Sequence, residues 1–435
     1  MKLLLTTVFS VALGCAALAG LSAQPARTGA PAAAGTNAFT GARLVDGTDR
    51  PPIDNATIVV RDGKVVAVGA GARVTVPPDV ERVALAGKTV IAGLVNAHGH
   101  VGNVSGLETV PYTAETVRKD LQTYAAYGVT TVYSLGDDKA AGIAARDAQK
   151  TPALDRARLF VAGPVLAPKT VEEARRMVDE DAAMKVDIVK IRVDDNLGTT
   201  PKMAPEIYKA VIDQAHKQGL RVAVHLFYLD DAKAVVDAGA DLVAHSVRDS
   251  EVDEAFASML KRRNVCYCPT LMREVSTFVY ESTPAWFSDP LFLKHVDART
   301  IETLKQPARQ EQMKNSRSAQ RYKAGLEVAS RNLKKLSDAG VTIAMGTDTG
   351  PAARFQGYFE LMELEMMVKA GLTPKQVLAS ATRDAARCMK LDGEVGTLEP
   401  NKWADFVVLD ADPLADISNV RKISAVYVAG NRLQR

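Results

Sequence analysis

Residues 90–101 read VIAGLVNAHGHV. An apolar run ends in two histidines separated by one glycine, although the whole chain has only six histidines. Side chains two apart on a strand share a face, so His98 and His100 would point together from the end of a buried strand, with Gly99 adding no bulk between them. Seven more apolar runs follow: GVTTVYSLG, RLFVAGPVL, DIVKIRV, RVAVHL, DLVAHS, NVCYCPTL and VTIAMGTD. Amphipathic stretches such as APEIYKAVIDQAHKQG and YLDDAKAVVDAGA separate them. Eight buried strands alternating with helices predict an α/β fold, a (β/α)8 TIM-like barrel over residues 89–392. The alternation by itself also admits a doubly wound open sheet.

On either side of the barrel the texture changes. Residues 38–88 carry short strand signals, with Asp62-Gly63 as a hairpin turn, and residues 393–435 carry two more in ADFVVLDADP and ISAVYVAGNRL. The two ends are expected to meet in one small β-sandwich domain. Thr373, Pro374 and Gln376 mark a capped helix start. The segment near 272–325 is too long for a barrel connection, and it carries Phe278, Tyr280, Trp286, Phe287 and Phe292. It reads as a helical insertion over the barrel mouth, its aromatics either walling a substrate pocket or forming a core of their own.

The first residues, MKLLLTTVFSVALGCAALAGLSAQPA, combine Lys2, an apolar run and small residues at Ser22 and Ala23. That pattern predicts a signal peptide over 1–23 and a periplasmic or secreted protein; a membrane anchor, or lipid attachment at Cys15, is the lesser alternative. Residues 24–37 then form a flexible linker rich in proline, glycine and alanine. Cys266, Cys268 and Cys388 would survive cleavage, an odd number, so no disulfide framework is expected and the fold should rest on its core. With 54 basic against 51 acidic residues and no long charge run, nucleic acid is not an expected partner. The mature chain should have no stable membrane span, and homo-oligomerisation is left open.

Chemistry concentrates at one end of the predicted strands. Lys190 lies inside DIVKIRV, where a parallel strand should be apolar on both faces. Burial would lower its pKa and leave a neutral amine able to add carbon dioxide; an ion pair with Asp187 or Asp194 is the equal alternative. His225 ends the fifth run, His245 the sixth and Asp348 the eighth. Each alone has a structural reading, as a core histidine or a helix cap. Together they gather where barrel enzymes place catalytic groups.

The order HxH, Lys, His, His, Asp, with GLVNAHGH at the first strand and GEVGTLEPNKWADFVVLD near the C-terminus, resembles the amidohydrolase superfamily in its binuclear subtype with a carbamylated lysine. The resemblance implies that His98, His100 and Asp348 hold one divalent ion and His225 and His245 a second, imidazole and carboxylate ligands that suit zinc. Lys190 as its carbamate and a hydroxide would bridge them, and Asp348 would be the catalytic base and acid. Asn96 stands where many members have Asp; its amide oxygen can still orient a histidine. Asn401 replaces a usual glycine, which asparagine tolerates because it visits left-handed geometry.

The resemblance extends to prolidase-like carboxypeptidases and ochratoxin-cleaving amidases, which implies hydrolysis of a C–N amide bond in a small substrate, a dipeptide or N-acyl amino acid. Imidazolonepropionase-like cyclic-amide hydrolases share the scaffold but generally bind one metal and lack the bridging lysine. A noncatalytic secreted metal-binding protein is a further alternative, which Asp348 disfavours. For a substrate carboxylate the candidates are Tyr228, Arg192, Arg248 and Arg273, just past strand ends. Cys266 and Cys268 read as small buried hydrophobes.

Overall fold

In the computed structural model, which describes residues 35–434, the opening stretch is two strands rather than one. Thr89–Ala92 belongs to a β-sheet outside the barrel, Gly93 turns the chain, and Leu94–Gly99 is the first barrel strand. A Cβ on Gly93 would sit 2.1 Å from Thr130 Oγ1, so the close passage of the chain here requires glycine. The predicted signal peptide and most of the linker lie outside the described residues.

The barrel follows the predicted runs. Leu94–Gly99 pairs with Val129–Ser134, which pairs with Arg158–Val161, all parallel. The third run is interrupted near Gly163: its second half, Val165–Leu166, pairs instead with Val189–Arg192. Val222–His225, Leu242–Ala244 and Cys266–Cys268 continue the order. The eighth run closes the ring without forming a regular strand. Ala344 N–H donates to the Tyr267 carbonyl on one side, while Ala97 N–H donates to the Met345 carbonyl on the other.

An eight-stranded mixed sheet flanks the barrel. Its N-terminal strands, Asn37–Val45, Ile53–Arg61 and Lys64–Ala70, form an antiparallel meander turned at Asp62 and Gly63, both with positive φ as a type I′ turn requires. Phe406–Leu409 pairs antiparallel with Thr89–Ala92, joining C-terminal strands to N-terminal ones. Phe39, Phe406 and Tyr427 pack edge-on and stacked in the centre of this sheet's core. Asn401 has φ 73°, the left-handed geometry its sequence position implied.

Two expectations need correction. Cys266 and Cys388 form a disulfide across 122 residues, tying the start of the seventh barrel strand to the helix Arg383–Cys388. An odd number of cysteines excludes complete pairing, not a single bond, and Cys268 is the buried thiol left over. The capped helix starting at Thr373, which the stretch VLASATRDAARCMKL would carry on to residue 391, has the expected capping box but runs only from Pro374 to Ser380, with a break before Arg383.

The long connection after the seventh strand contains short helices up to Pro307–Lys314, followed by the 22-residue helix Arg317–Asp338. Its aromatics do not face inward on themselves alone. Trp286 packs against Phe287 and Phe292 and also against Phe355, Tyr358 and Phe359, beyond the eighth strand. The Tyr280 hydroxyl donates to the Ala353 carbonyl at 2.6 Å, fastening the insertion to the loop after that strand.

Candidate metal centre

The sequence puts its unusual polar residues at the C-terminal ends of the barrel strands, and the fold brings them together. His98 and His100 present Nε2 to one oxygen of Asp348, Oδ1, at 3.4 and 2.8 Å. Ligand atoms of these three residues all lie within 4.8 Å of one another, so they could hold one cation. The His98 ring is 4.6 Å from His245 by centroids, and His245 is 4.2 Å from His225, extending the cluster across the mouth. Lys190 Nζ lies 3.5 Å from His98 Nε2.

Local backbone makes this convergence feasible. Asp348 and Thr270 adopt left-handed φ values of 58° and 49°, unusual for residues with a Cβ and found where surrounding structure over-determines them. A Cβ on Gly350, where φ is +111°, would come 2.4 Å from the His100 carbonyl oxygen; one on Gly346 would come 2.9 Å from the His98 amide nitrogen. The glycines flanking TDT therefore let the eighth run lie against the two histidines. Asp348 N–H donates to the His98 carbonyl at 2.7 Å and His100 N–H to the Thr349 carbonyl at 2.8 Å.

At His98, His225 and His245 the electrostatics suit metal ligation, whereas at His100 burial is outweighed by the hydrogen bond and charge of Asp348, which raise the pKa. Burial, reinforced by Lys190, holds His98 well below the ordinary histidine pKa; burial and the neighbouring His225 do the same for His245. Burial also lowers His225, to about 3. Neutral imidazoles offer lone pairs, which protonated ones cannot. The His245 Nδ1 and the Thr270 hydroxyl are 2.7 Å apart, and that contact leaves the other ring nitrogen for the cluster. Burial opposes ionisation of Asp348, but Arg354, His98 and His100 outweigh it and hold the carboxylate well below its usual range.

Lys190 is nearly inaccessible, and burial lowers its pKa to about 8. Neither aspartate considered as its partner pairs with it. Asp187 accepts from Arg146 and from the Val161 amide, and Asp194 accepts from Arg192. Among the described residues Lys190 has no ion pair, which fits an amine available for carbamylation better than a structural cation.

The substrate-contact candidates fare differently. Arg248 is sealed in the interior, donating to the Leu226 and Ser246 carbonyls and lying 3.0 Å from Glu274. Arg273 is also buried against Glu274, with its guanidinium over Tyr322 and its Nε 4.0 Å from Asp348 Oδ2. Arg192 reaches Asp194 and Asn196, and the Tyr228 hydroxyl donates to Asp195 at 2.8 Å. All but Arg273 are thus turned toward partners other than the cluster.

Several supporting residues were not singled out from the sequence. Asp194 Oδ2 lies 3.1 Å from His225 Nε2. Helix Tyr358–Lys369 carries two fully buried glutamates one turn apart. Glu360 accepts from Asn96, Thr347 and Thr349 at 2.6, 2.6 and 2.5 Å, gripping both segments that supply His98, His100 and Asp348. Glu363 accepts the Leu271 and Met272 amides next to Thr270. Their signal was present in YFELMELEMM, where glutamates interrupt a helix otherwise apolar on most sides. Asn96 orients His98 through the backbone: its Oδ1 accepts the His98 N–H at 2.9 Å.

The sequence pattern of the amidohydrolase family matches residues 89–433, most of the chain. The chain belongs to the amidohydrolase family. This amidohydrolase is 26% identical to an Aspergillus niger ochratoxinase over 274 residues, 61% of this chain and 49% of that protein, so it spans about half the length of that curated relative. It is 25% identical to an imidazolonepropionase of Streptomyces avermitilis over 405 residues, 88% of each chain. In fold, it is similar to a Xaa-Pro dipeptidase solved with methionine in its active site, with a TM-score of 0.74 over 92% of this amidohydrolase and all of that chain at 20% identity.

Proposed function

We propose that this amidohydrolase is a periplasmic or secreted binuclear metal-dependent hydrolase that cleaves the amide bond of a dipeptide or N-acyl amino acid. The observation carrying this reading is the convergence of His98, His100 and Asp348 with a buried, ion-pair-free Lys190 and the neutral pair His225 and His245. His98, His100 and Asp348 would hold one ion, and His225 and His245 a second, with Lys190 as its carbamate between them. Divalent ions such as zinc held there would activate a water and polarise the scissile carbonyl. Asp348 would take the water's proton on its carboxylate and deliver it to the leaving nitrogen. The hydrogen bonds accepted by Glu360 and Glu363 would keep the ligands in register while that proton moves. The N-terminal signal pattern supports export, as does the disulfide, which needs an oxidising compartment.

The length of the match to imidazolonepropionase favours a second reading, hydrolysis of a cyclic amide with one ion. Lys190 separates the two. The test is metal analysis of the purified protein together with 13C-bicarbonate labelling, followed by a library of dipeptides, N-acyl amino acids and cyclic amides. The first reading expects up to two ions per chain, a labelled carbamate lost in Lys190→Ala, and turnover of linear amides. Only trace metal would overturn both readings; one ion, no carbamate and turnover confined to cyclic amides would replace the first with the second.

A further inference from the structure

Arg354 was not among the substrate-contact candidates, yet it is the guanidinium nearest the proposed general base. Its Nη1 lies 2.5 Å from Asp348 Oδ2, the oxygen on the opposite side of the carboxylate from the one facing His98 and His100. The two oxygens of Asp348 are therefore divided between the metal ligands and an arginine. The loop after the eighth strand fixes this placement: Gly350 N–H donates to the Arg354 carbonyl, and Arg354 N–H to that of Pro351.

Arg354 is also not sealed. Its side chain retains 18% exposure and lines a cavity of about 150 Å³ with Lys119, Tyr127, Phe292 and Phe355. The cavity thus offers aromatic walls, the basic groups of Lys119 and Arg354, and the His295 imidazole. Two acidic residues line it as well, but both already accept backbone amides: Asp120 from Gly102 and Asp297 from Arg299. Arg248 and Arg273, by contrast, share the buried Glu274. Arg354 is then hydrogen-bonded to Asp348, whose Oδ2 also lies 4.0 Å from Arg273 Nε.

We infer that Arg354 binds the carboxylate of the substrate's amino-acid portion, with an apolar side chain seated in the adjoining cavity. This rests on the amide-hydrolase reading above. When such a carboxylate arrives, the guanidinium exchanges Asp348 Oδ2 for it. Substrates without the carboxylate leave Arg354 on Asp348 and gain no such contact. A charge-assisted hydrogen bond of this kind corresponds to roughly a 10- to 150-fold affinity difference.

The experiment compares binding of L-phenylalanine and phenethylamine, which differ by the carboxylate and cannot be hydrolysed, to metal-loaded wild type, Arg354→Gln and Arg354→Lys by calorimetry. Metal content and thermal melting check that each variant is folded and loaded. Wild type should prefer phenylalanine at least tenfold, Arg354→Gln should lose that preference, and Arg354→Lys should retain part of it. A preference unchanged in Arg354→Gln, or absent in wild type, overturns the inference. The two proposals fail separately: an Arg354-dependent preference without turnover of any linear amide sinks only the hydrolase reading, whereas library turnover indifferent to Arg354 sinks only this one.

Discussion

Removing the disulfide by Cys388→Ala should weaken the fold substantially without touching the metal centre. Cys266 opens the seventh strand, at the barrel end opposite the histidines, and its bond to Cys388 closes a span of 122 residues. The chain-entropy relation for a loop of that size gives a restriction of the unfolded chain of about 5 kcal/mol at 25 °C. Residual structure in the unfolded chain reduces this, so a loss of about 3–5 kcal/mol is expected. For a folded unit of the described size, an unfolding entropy near 2 cal/mol/K per residue converts the loss to a fall in Tm of roughly 4–6 °C. Oxidised wild type, wild type under reductant, Cys266→Ala and Cys388→Ala should be melted side by side, with thiol titration in denaturant beforehand. The three forms lacking the bond should melt together, below oxidised wild type. Melting of oxidised wild type within a degree of all three, despite a titration showing the bond intact, would refute the argument that this bond limits the unfolded chain.

Asp348→Asn should keep most of the bound metal while abolishing turnover, because the amide can still offer an oxygen but cannot shuttle the proton; metal analysis and initial rates on the same preparation check it. Gly350→Ala should reduce metal uptake, since its Cβ would fall 2.4 Å from the His100 carbonyl oxygen and displace that histidine; zinc titration against wild type is the measurement. Asp181 is fully buried with both carboxylate oxygens lacking a hydrogen bond, and burial, with Glu180 nearby, raises its pKa to about 7. Its raised folded value means that the native state holds the proton longer than the unfolded chain, so stability falls as pH rises from about 4 towards 7. Asp181→Asn should therefore be more stable than wild type by about 2–4 kcal/mol at pH 8, with the difference vanishing near pH 4. Urea unfolding at the two pH values decides it, and equal stability at pH 8 would count against an ionised, unpartnered Asp181.

The sequence made some features legible and hid others, and the division follows the distance over which each residue's reason operates. Seven of the eight apolar runs announced their strands because burial on both faces of a parallel strand constrains each run locally, while the eighth takes its place in the ring without regular pairing. His98, His100, Lys190, His225, His245 and Asp348 stood out because costly polar residues recur inside or at the ends of successive apolar runs. Arg248 and Arg273 also sit just past strand ends, but Glu274 takes up Arg248 and holds Arg273 from the neighbouring position, and no local pattern reveals which carboxylate an arginine will find. The Cys266–Cys388 bond was hidden in the same way.

Asn96 shows the reasoning most sharply. Judged by the resemblance it is a departure, an amide where many members of the resembled pattern carry an aspartate, two positions before the first histidine. Its partner lies 264 positions away: Asn96 Nδ2 donates to Glu360 Oε1 at 2.6 Å in a fully buried site. An aspartate there would set two carboxylates at hydrogen-bond distance with little solvent, so one would have to hold a proton or the pair would repel. The amide supplies the donor that a second carboxylate lacks, while its oxygen still fixes the His98 backbone. Residue 96 and residue 360 are therefore one choice made twice. Asn96→Asp should be destabilising in the presence of Glu360 and much less so when paired with Glu360→Gln, a double-mutant cycle whose coupling energy, if near zero, would separate the two residues again.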